Sequence, residues 1–247
     1  MWYSQSGPID LRWFGDGRGL GFSAHNESHV AAVFRLRLDT GVWDTIPLST
    51  GEFWTAIEWN RDGSAFYFGR RDANAGIYER AVNGGADRLV YRATPFSQPR
   101  PLEFSPDRKW LAFQLRNIEE ANSGNAQILI LDVGTGESRV VFEHRFSTTE
   151  PWRFDLMGWT PSSDLLVRRR SDAASEFQVV PLKGGAPRSI ALATFGANVP
   201  GEKRPEVFAA KWSPDGRTVV LGRSVRGLET FVIENPLAAV TGNGVKN

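Results

Sequence analysis

The sequence predicts an all-β chain, a β-propeller of four-stranded antiparallel blades, and three observations predict it. First, one phrase recurs: an aromatic residue, a tight turn, an apolar run, a connection, a second apolar run and a Gly-bearing turn. Its aromatic anchors, Trp13, Trp59, Phe104, Trp159 and Trp212, lie 46, 45, 55 and 53 residues apart. Recurrence at about this length, with several strands per unit, is the pattern of propeller blades. Second, Phe66, Tyr67 and Phe68, like Ile128, Leu129, Ile130 and Leu131, are apolar without a break. A strand with one wet face alternates, so both faces of these runs are covered, as in sheets stacked between neighbours. Third, the turns have the right chemistry. Pro presets φ at a first corner, Asp bonds back to nearby backbone and Gly takes the last bend.

Taken in order, the first repeat places Trp13 before Gly15-Asp16-Gly17, then runs through Leu20, Gly21 and Phe22, then Val33 to Leu36 and the turn Asp39-Thr40-Gly41. The second has Trp59, Arg61-Asp62-Gly63, the run 65–68, Ile77-Tyr78 and Asn83-Gly84-Gly85. In the third come Phe104, Pro106-Asp107-Arg108, the run 111–113, the run 128–131 and Gly134-Thr135-Gly136. Trp159, Pro161-Ser162-Ser163, the runs 165–167 and 177–180 and Lys183-Gly184-Gly185 make the fourth. The fifth has Trp212, Pro214-Asp215-Gly216, the run 219–221 and the run 231–233, and it stops after its third strand, near Glu234. Blades are expected at about 10–48, 57–93, 102–144, 156–192 and 209–237 within a single domain, 1–247. Residues 2–4 are a possible closing strand beside Thr230 to Ile233, which would cover an open sheet edge. Asn235 and Pro236 read as the cap and first position of a short helix. Because the anchors occupy one matching position, they are expected to fill seams between blades, each burying roughly 150–250 Å², rather than to form a binding box.

Phe104-Ser105-Pro106-Asp107 and Trp212-Ser213-Pro214-Asp215-Gly216-Arg217 resemble the SPDG-type, WD40-like repeat (PD40) of TolB-like β-propellers. Trp59-Asn60-Arg61-Asp62-Gly63 is a near match and Trp13-Phe14-Gly15-Asp16-Gly17 a weaker one, while Trp159-Thr160-Pro161-Ser162-Ser163 keeps the Pro and lacks the Asp and Gly. The resemblance spans about residues 10–237 and implies a fold more than a function. Such blades, usually six, occur in periplasmic TolB, in the propeller halves of prolyl-oligopeptidase-like enzymes and in sensor domains of bacterial kinases and regulators. Five recognisable repeats fit an intact five-bladed ring or part of a longer propeller.

Bulk properties narrow the partners. The chain has 247 residues, enough for one large domain with an ample core. It has no cysteine, which excludes disulfides and thiolate metal sites. Lys and Arg number 29 against 28 Asp and Glu, so a general polyanion or nucleic-acid binder is not expected. No apolar run approaches the roughly 20 residues that span a bilayer. The first ten residues lack a basic and an apolar export region. The expected compartment is cytoplasmic if the chain is complete and periplasmic if it is truncated at its N-terminus.

Strand direction alternates within a blade, so the loops sort onto two faces. The tight turns share one, and the longer connections, expected at 116–126, 143–155 and 193–207, share the other. Functional residues concentrate on loops held by a rigid scaffold. The long-loop face carries Arg70, Arg71, Arg116, Arg168, Arg169, Arg170, Arg223 and Arg226, partly offset by Asp72, Glu119, Glu120 and Asp172. Converging arginines suit carboxylates or phosphates through paired hydrogen bonds; a solvated rim of locally paired charges is the plainer alternative. Trp152 is a candidate partner contact, and His25 and His29 share the first blade's loop on that face. Their spacing is not that of a zinc helix, and only His144 remains among the histidines. No phosphate loop, nucleophile elbow or kinase motif occurs. The expectation is a scaffold without catalytic residues, cofactor or metal, binding a protein, a peptide or a small anion. Two other classes stay open: an accessory or sensor propeller of a larger peptidase or kinase, and a carbohydrate-processing propeller.

Overall fold

The computed structural model describes residues 2–3, 11–26, 31–48, 54–95, 97–120, 123–147, 153–170, 175–190, 206–212, 218–224 and 228–234. Every regular element among them is a strand, and every sheet is antiparallel or a simple meander. The first sheet holds β1 (Trp2–Tyr3), β2 (Arg12–Trp13), β3 (Gly19–Asn26), β4 (Ala31–Arg37) and β5 (Trp43–Pro47). The second holds β6 (Trp54–Trp59), β7 (Ala65–Arg70), β8 (Gly76–Ala81) and β9 (Arg88–Arg92). The third holds β10 (Leu102–Phe104), β11 (Trp110–Glu120), β12 (Ser123–Asp132) and β13 (Ser138–Phe146). The fourth holds β14 (Arg153–Trp159), β15 (Leu165–Arg170), β16 (Ser175–Val180) and β17 (Arg188–Ile190). The last holds β18 (Glu206–Trp212), β19 (Thr218–Ser224) and β20 (Leu228–Glu234). Four sheets fill all four strand positions; the last fills three among the described residues, so a fifth complete blade is not seen.

Two compact units divide the chain: Met1–Asn117 with Gln127–Val140, and Ile118–Ala126 with Val141–Asn247. In the first unit, sheet packs on sheet in chain order. Phe14, Val33, Leu48, Ile57, Trp59, Phe66, Phe68 and Tyr78 form one seam. Tyr67, Ile77, Leu102, Leu111, Phe113, Leu129 and Leu131 form the next, with Phe104 against it. The unbroken apolar runs are thus explained: Phe66 and Phe68 face one neighbour and Tyr67 the other. Trp59 is fully buried, worth about 4–6 kcal/mol at most by area. Its ring lies on Gly21, where an added Cβ would stand 2.4 Å from the indole. Phe104 meets Tyr67 edge-on at the equivalent place, 5.2 Å between ring centres. A large anchor meets a glycine and a smaller one meets a tyrosine.

Trp13 departs from this scheme. It is 55% exposed, and the seam position is taken by the next residue, Phe14, at 3% and 5.0 Å from the Trp59 ring. Two-residue β2 ends at Trp13, and the chain turns Phe14 under Gly63, which has no side chain to obstruct it. The proposed closing strand also pairs elsewhere. Trp2 and Tyr3 join Asn26 and His25 on β3, not Thr230 to Ile233. The cause is length: β3 has eight residues, and β2 pairs only with its Leu20 and Gly21, leaving backbone groups farther along the same edge for β1. Two expected long loops are largely strand. β11 and β12 extend through most of 116–126, and β13 runs to Phe146 before β14 resumes at Arg153.

The turns behave as their chemistry predicts. Asp16, Asp62 and Asp107 accept backbone N–H bonds two residues on, from Arg18, Ser64 and Lys109 at 2.8, 3.0 and 3.1 Å. The left-handed corner is Gly17 or Gly63 in the first two turns, but Arg108 (φ 63°) and Ser163 (φ 61°) in the next two. In the fourth, the Thr160 hydroxyl replaces the missing Asp by accepting from the Asp164 N–H at 3.1 Å. The fifth turn, the 235–240 helix and most of 193–207 lie outside the described residues.

Candidate functional site

Strand pairing puts the sequence-derived arginines on a common footing. The residues opposite the five anchors are Leu20, Phe66, Leu111, Leu165 and Val219. Four and five residues farther along stand Ala24 and His25, Arg70 and Arg71, Leu115 and Arg116, Arg169 and Arg170, and Arg223 and Ser224. The same end of the second strand therefore carries arginine in four sheets and histidine in the first. Arg223 pairs with Val207 and Glu229, and His25 with Tyr3 and Ala31, through the backbone. Arg226, Trp152 and His29 lie outside the described residues.

In the first unit this strand end is modest. Arg70 bonds to Asp72 and lies over the Tyr78 ring, 5.1 Å from its centre. Arg71 is exposed and Arg116 half-buried.

The fourth sheet, in the second unit, is where arginines gather. Strand alternation sends Arg168 and Arg170 to one side of β15 and Arg169 to the other. Asp155 stands directly opposite Arg168 on β14. Its Oδ2 accepts from Arg168 Nε at 3.1 Å, Arg168 Nη2 at 2.6 Å and Arg170 Nε at 2.7 Å. Arg168 is 5% exposed, so this carboxylate is what permits its charge to be buried. Across the other strand pair, Arg169 stands opposite Glu176, 3.7 Å apart. Arg153, exposed, stands opposite Arg170. Among the described residues, four guanidinium groups and two carboxylates thus stand at one sheet end, Arg153, Arg168, Arg170 and Asp155 on one side and Arg169 and Glu176 on the other. Behind them Phe154 packs on Phe142 and on His144, whose ring centre is 4.5 Å away. His144 lies in β13 and serves as a packing residue rather than a loop ligand. Among the described residues, no three His, Cys, Asp or Glu side chains converge as metal ligands.

Sequence reasoning missed a second ionic group, in the first unit. Arg12, Glu58 and Glu103 each precede an anchor aromatic, and all three are buried. Arg12 Nη1 donates to Glu103 Oε1 at 2.9 Å, and Arg12 Nε lies 3.8 Å from Glu58 Oε2. Arg108 reaches the other Glu58 oxygen at 3.7 Å and donates to the Trp59 carbonyl. Burial pushes the Arg108 guanidinium pKa down, and the Glu58 charge opposes that shift. Two cations and two anions balance, and the group ties the first strands of three sheets. The shared position before each anchor was the available signal.

No family model matches the chain, and no curated protein does. Solved structures do. A putative TolB from Agrobacterium tumefaciens is similar at 18% identity over 96% of this chain and 78% of that one, with a TM-score of 0.60. TolB from Acinetobacter baumannii is 14% identical over 90% of this chain and 51% of that one, at 0.61. An oligogalacturonate lyase solved with manganese is 13% identical over 92% and 73%, at 0.55. The fold is that of TolB-type β-propellers. The chain spans about half the length of the Acinetobacter protein, and the same fold serves a lyase as well as TolB.

Proposed function

We propose that this chain is a propeller scaffold, without turnover of its own, that holds an anionic group of a protein, peptide or small ligand at the arginine-bearing strand ends. The observation that carries the reading is the end of the fourth sheet. Arg168 and Arg170 share Asp155, while Arg153 and Arg169 stand at its margins with Glu176. Planar guanidinium groups suit carboxylates. Arg168 and Asp155 are the fixed base; Arg153 and Arg169 are the groups a ligand meets.

The test is titration with a Glu- and Asp-rich peptide at low and high salt. The expected result is saturable binding that weakens with salt and at least tenfold in the Arg153→Glu, Arg169→Glu double variant. Equal affinity in that variant would remove the site from consideration. The lyase neighbour makes oligogalacturonate, a carboxylated sugar chain, the informative second probe. Binding without cleavage, with or without manganese, agrees with the scaffold reading, whereas saturable appearance of unsaturated product would replace it with an enzymatic one.

A further inference from the structure

We infer that Asn83, in the turn between β8 and β9, is a site of spontaneous deamidation that turns a neutral amide into a carboxylate and, in part, into an isoaspartyl linkage. Among the described residues, Asp or Asn precedes Gly at Asp16-Gly17, Asp62-Gly63 and Asn83-Gly84. Such a step is the reactive kind, because a following residue without Cβ lets its backbone nitrogen approach the preceding side-chain carbonyl carbon. The first two are tethered. Asp16 accepts from the Arg18 N–H at 2.8 Å, and Asp62 from the Ser64 N–H and hydroxyl at 3.0 and 2.6 Å. The Asn83 side chain has no hydrogen-bond partner among the described residues. It is also an amide, whose uncharged carbonyl carbon accepts a nucleophile more readily than a carboxylate does.

The turn leaves room for the reaction. Asn83, Gly84, Gly85 and Ala86 are all exposed. Gly84 and Gly85 hold φ 92° and 115°, and a Cβ added at either would meet nothing within 4 Å. A ring closed between Asn83 and Gly84 therefore has open space beside it and stays within reach of water. The nucleophile is restrained by one bond: the Gly84 N–H donates to the Ala81 carbonyl at 3.2 Å, the long end of the ordinary range. Around the turn the strands are fixed. The Val82 N–H donates to the Ser64 carbonyl at 2.8 Å, and Arg80 donates to the two Asp87 oxygens at 2.6 and 2.7 Å. The change is thus confined to the turn, and the sheet survives it.

The chemistry needs only water. The Gly84 nitrogen, giving its proton to hydroxide, attacks Asn83 Cγ. The N–Cγ bond forms, the Cγ–Nδ2 bond breaks, and ammonia leaves. Water then opens the cyclic imide at either carbonyl. Breaking the bond from Gly84 N to Cγ restores the ordinary main chain, with aspartate at position 83. Breaking the bond from Gly84 N to the backbone carbonyl carbon leaves the main chain running through Cβ and Cγ, longer by a methylene. Either product adds a negative charge at this turn, bringing the acidic residues from 28 to 29, equal to the 29 basic ones.

The experiment is incubation of the full chain at mildly alkaline pH, then trypsin and mass spectrometry of the peptide Ala81–Arg88, in which Asn83 is the sole asparagine. The expected result is a shift from amide to acid mass in two chromatographic forms, one of them co-eluting with the same peptide from Asn83→Asp. The rate is expected to rise with pH, because the attacking nitrogen must lose its proton. It should fall below that of the guanidinium-unfolded chain by about tenfold at most, the worth of one exposed hydrogen bond. An unchanged peptide, a single product, or a folded chain slowed by more than that factor would each overturn the proposal.

Discussion

Position 21 shows how much one missing side chain can decide. A Cβ there would stand 2.4 Å from the Trp59 ring and 2.5 Å from the Phe34 carbonyl oxygen, and the latter is backbone that cannot rotate away. Gly21→Ala is therefore expected to cost at least the roughly 1–3 kcal/mol typical of overpacking, seen as a lower urea midpoint. Ser163 presents the reverse case. It holds φ 61° without being glycine, so Ser163→Gly is expected to stabilise by about 1 kcal/mol. Arg108 has the same backbone, but its guanidinium reaches the Trp59 carbonyl and Glu58, so Arg108→Gly is expected to destabilise. The turn aspartates are tuned by their neighbours. The Ser105 hydroxyl, followed by the Lys109 N–H, holds the Asp107 carboxylate below its ordinary pKa, and the Ser64 hydroxyl and N–H do so for Asp62. A depressed folded value means stabilisation that is complete above the ordinary carboxylate range and lost as pH falls through the folded value. NMR titration should show Asp107 moving up in Ser105→Ala while Asp62 stays where it was.

β15 shows how an element turns sequence into a charged site. Its first residues, Leu165, Leu166 and Val167, are buried on both faces, while Arg168, Arg169 and Arg170 divide between the two sides as the strand leaves the core. The arginine run was legible in the sequence. Asp155 was not, since it is thirteen residues earlier and only the pairing of β14 with β15 sets it opposite Arg168. Asp155→Ala leaves a nearly buried guanidinium without its carboxylate and is expected to destabilise by roughly 2–4 kcal/mol. Arg169→Ala, on the wetter side against Glu176, should change stability by less than about 1 kcal/mol. If chemical denaturation gave the two variants equal midpoints, Asp155 would not be the keystone of this strand end. The same limit explains β1. The sequence offered residues 2–4 as a possible closing strand for the fifth repeat, but the edge they join depended on how far β3 outruns β2, a length that no local pattern encodes.

For the molecule as a whole, repeat spacing made the sheets and their order readable, because each anchor and turn acts over a few residues. Contacts that skip a sheet were not readable. Arg12 and Glu103 are 91 residues apart and belong to the first and third sheets, yet they are hydrogen-bonded at 2.9 Å, with Glu58 of the second sheet alongside. Their neighbours in sequence, Trp13 and Phe104, drew attention as anchors, while the polar residue before each looked like an ordinary strand position. Such a group adds little net stability over an apolar replacement, since burying charge offsets most of the attraction. The effect expected of it is specificity, fixing the register of three first strands against one another. A double-mutant cycle separates the two roles. Arg12→Met alone takes the Arg12 guanidinium from buried Glu103 and is expected to cost about 3–5 kcal/mol, as is Glu103→Leu alone. The double variant, which keeps Glu58 with Arg108, should recover most of that loss in urea unfolding. If the double variant is instead as unstable as the sum of the singles, the pair contributes through packing of each side chain, and the cross-sheet bond is incidental to how the blades are aligned.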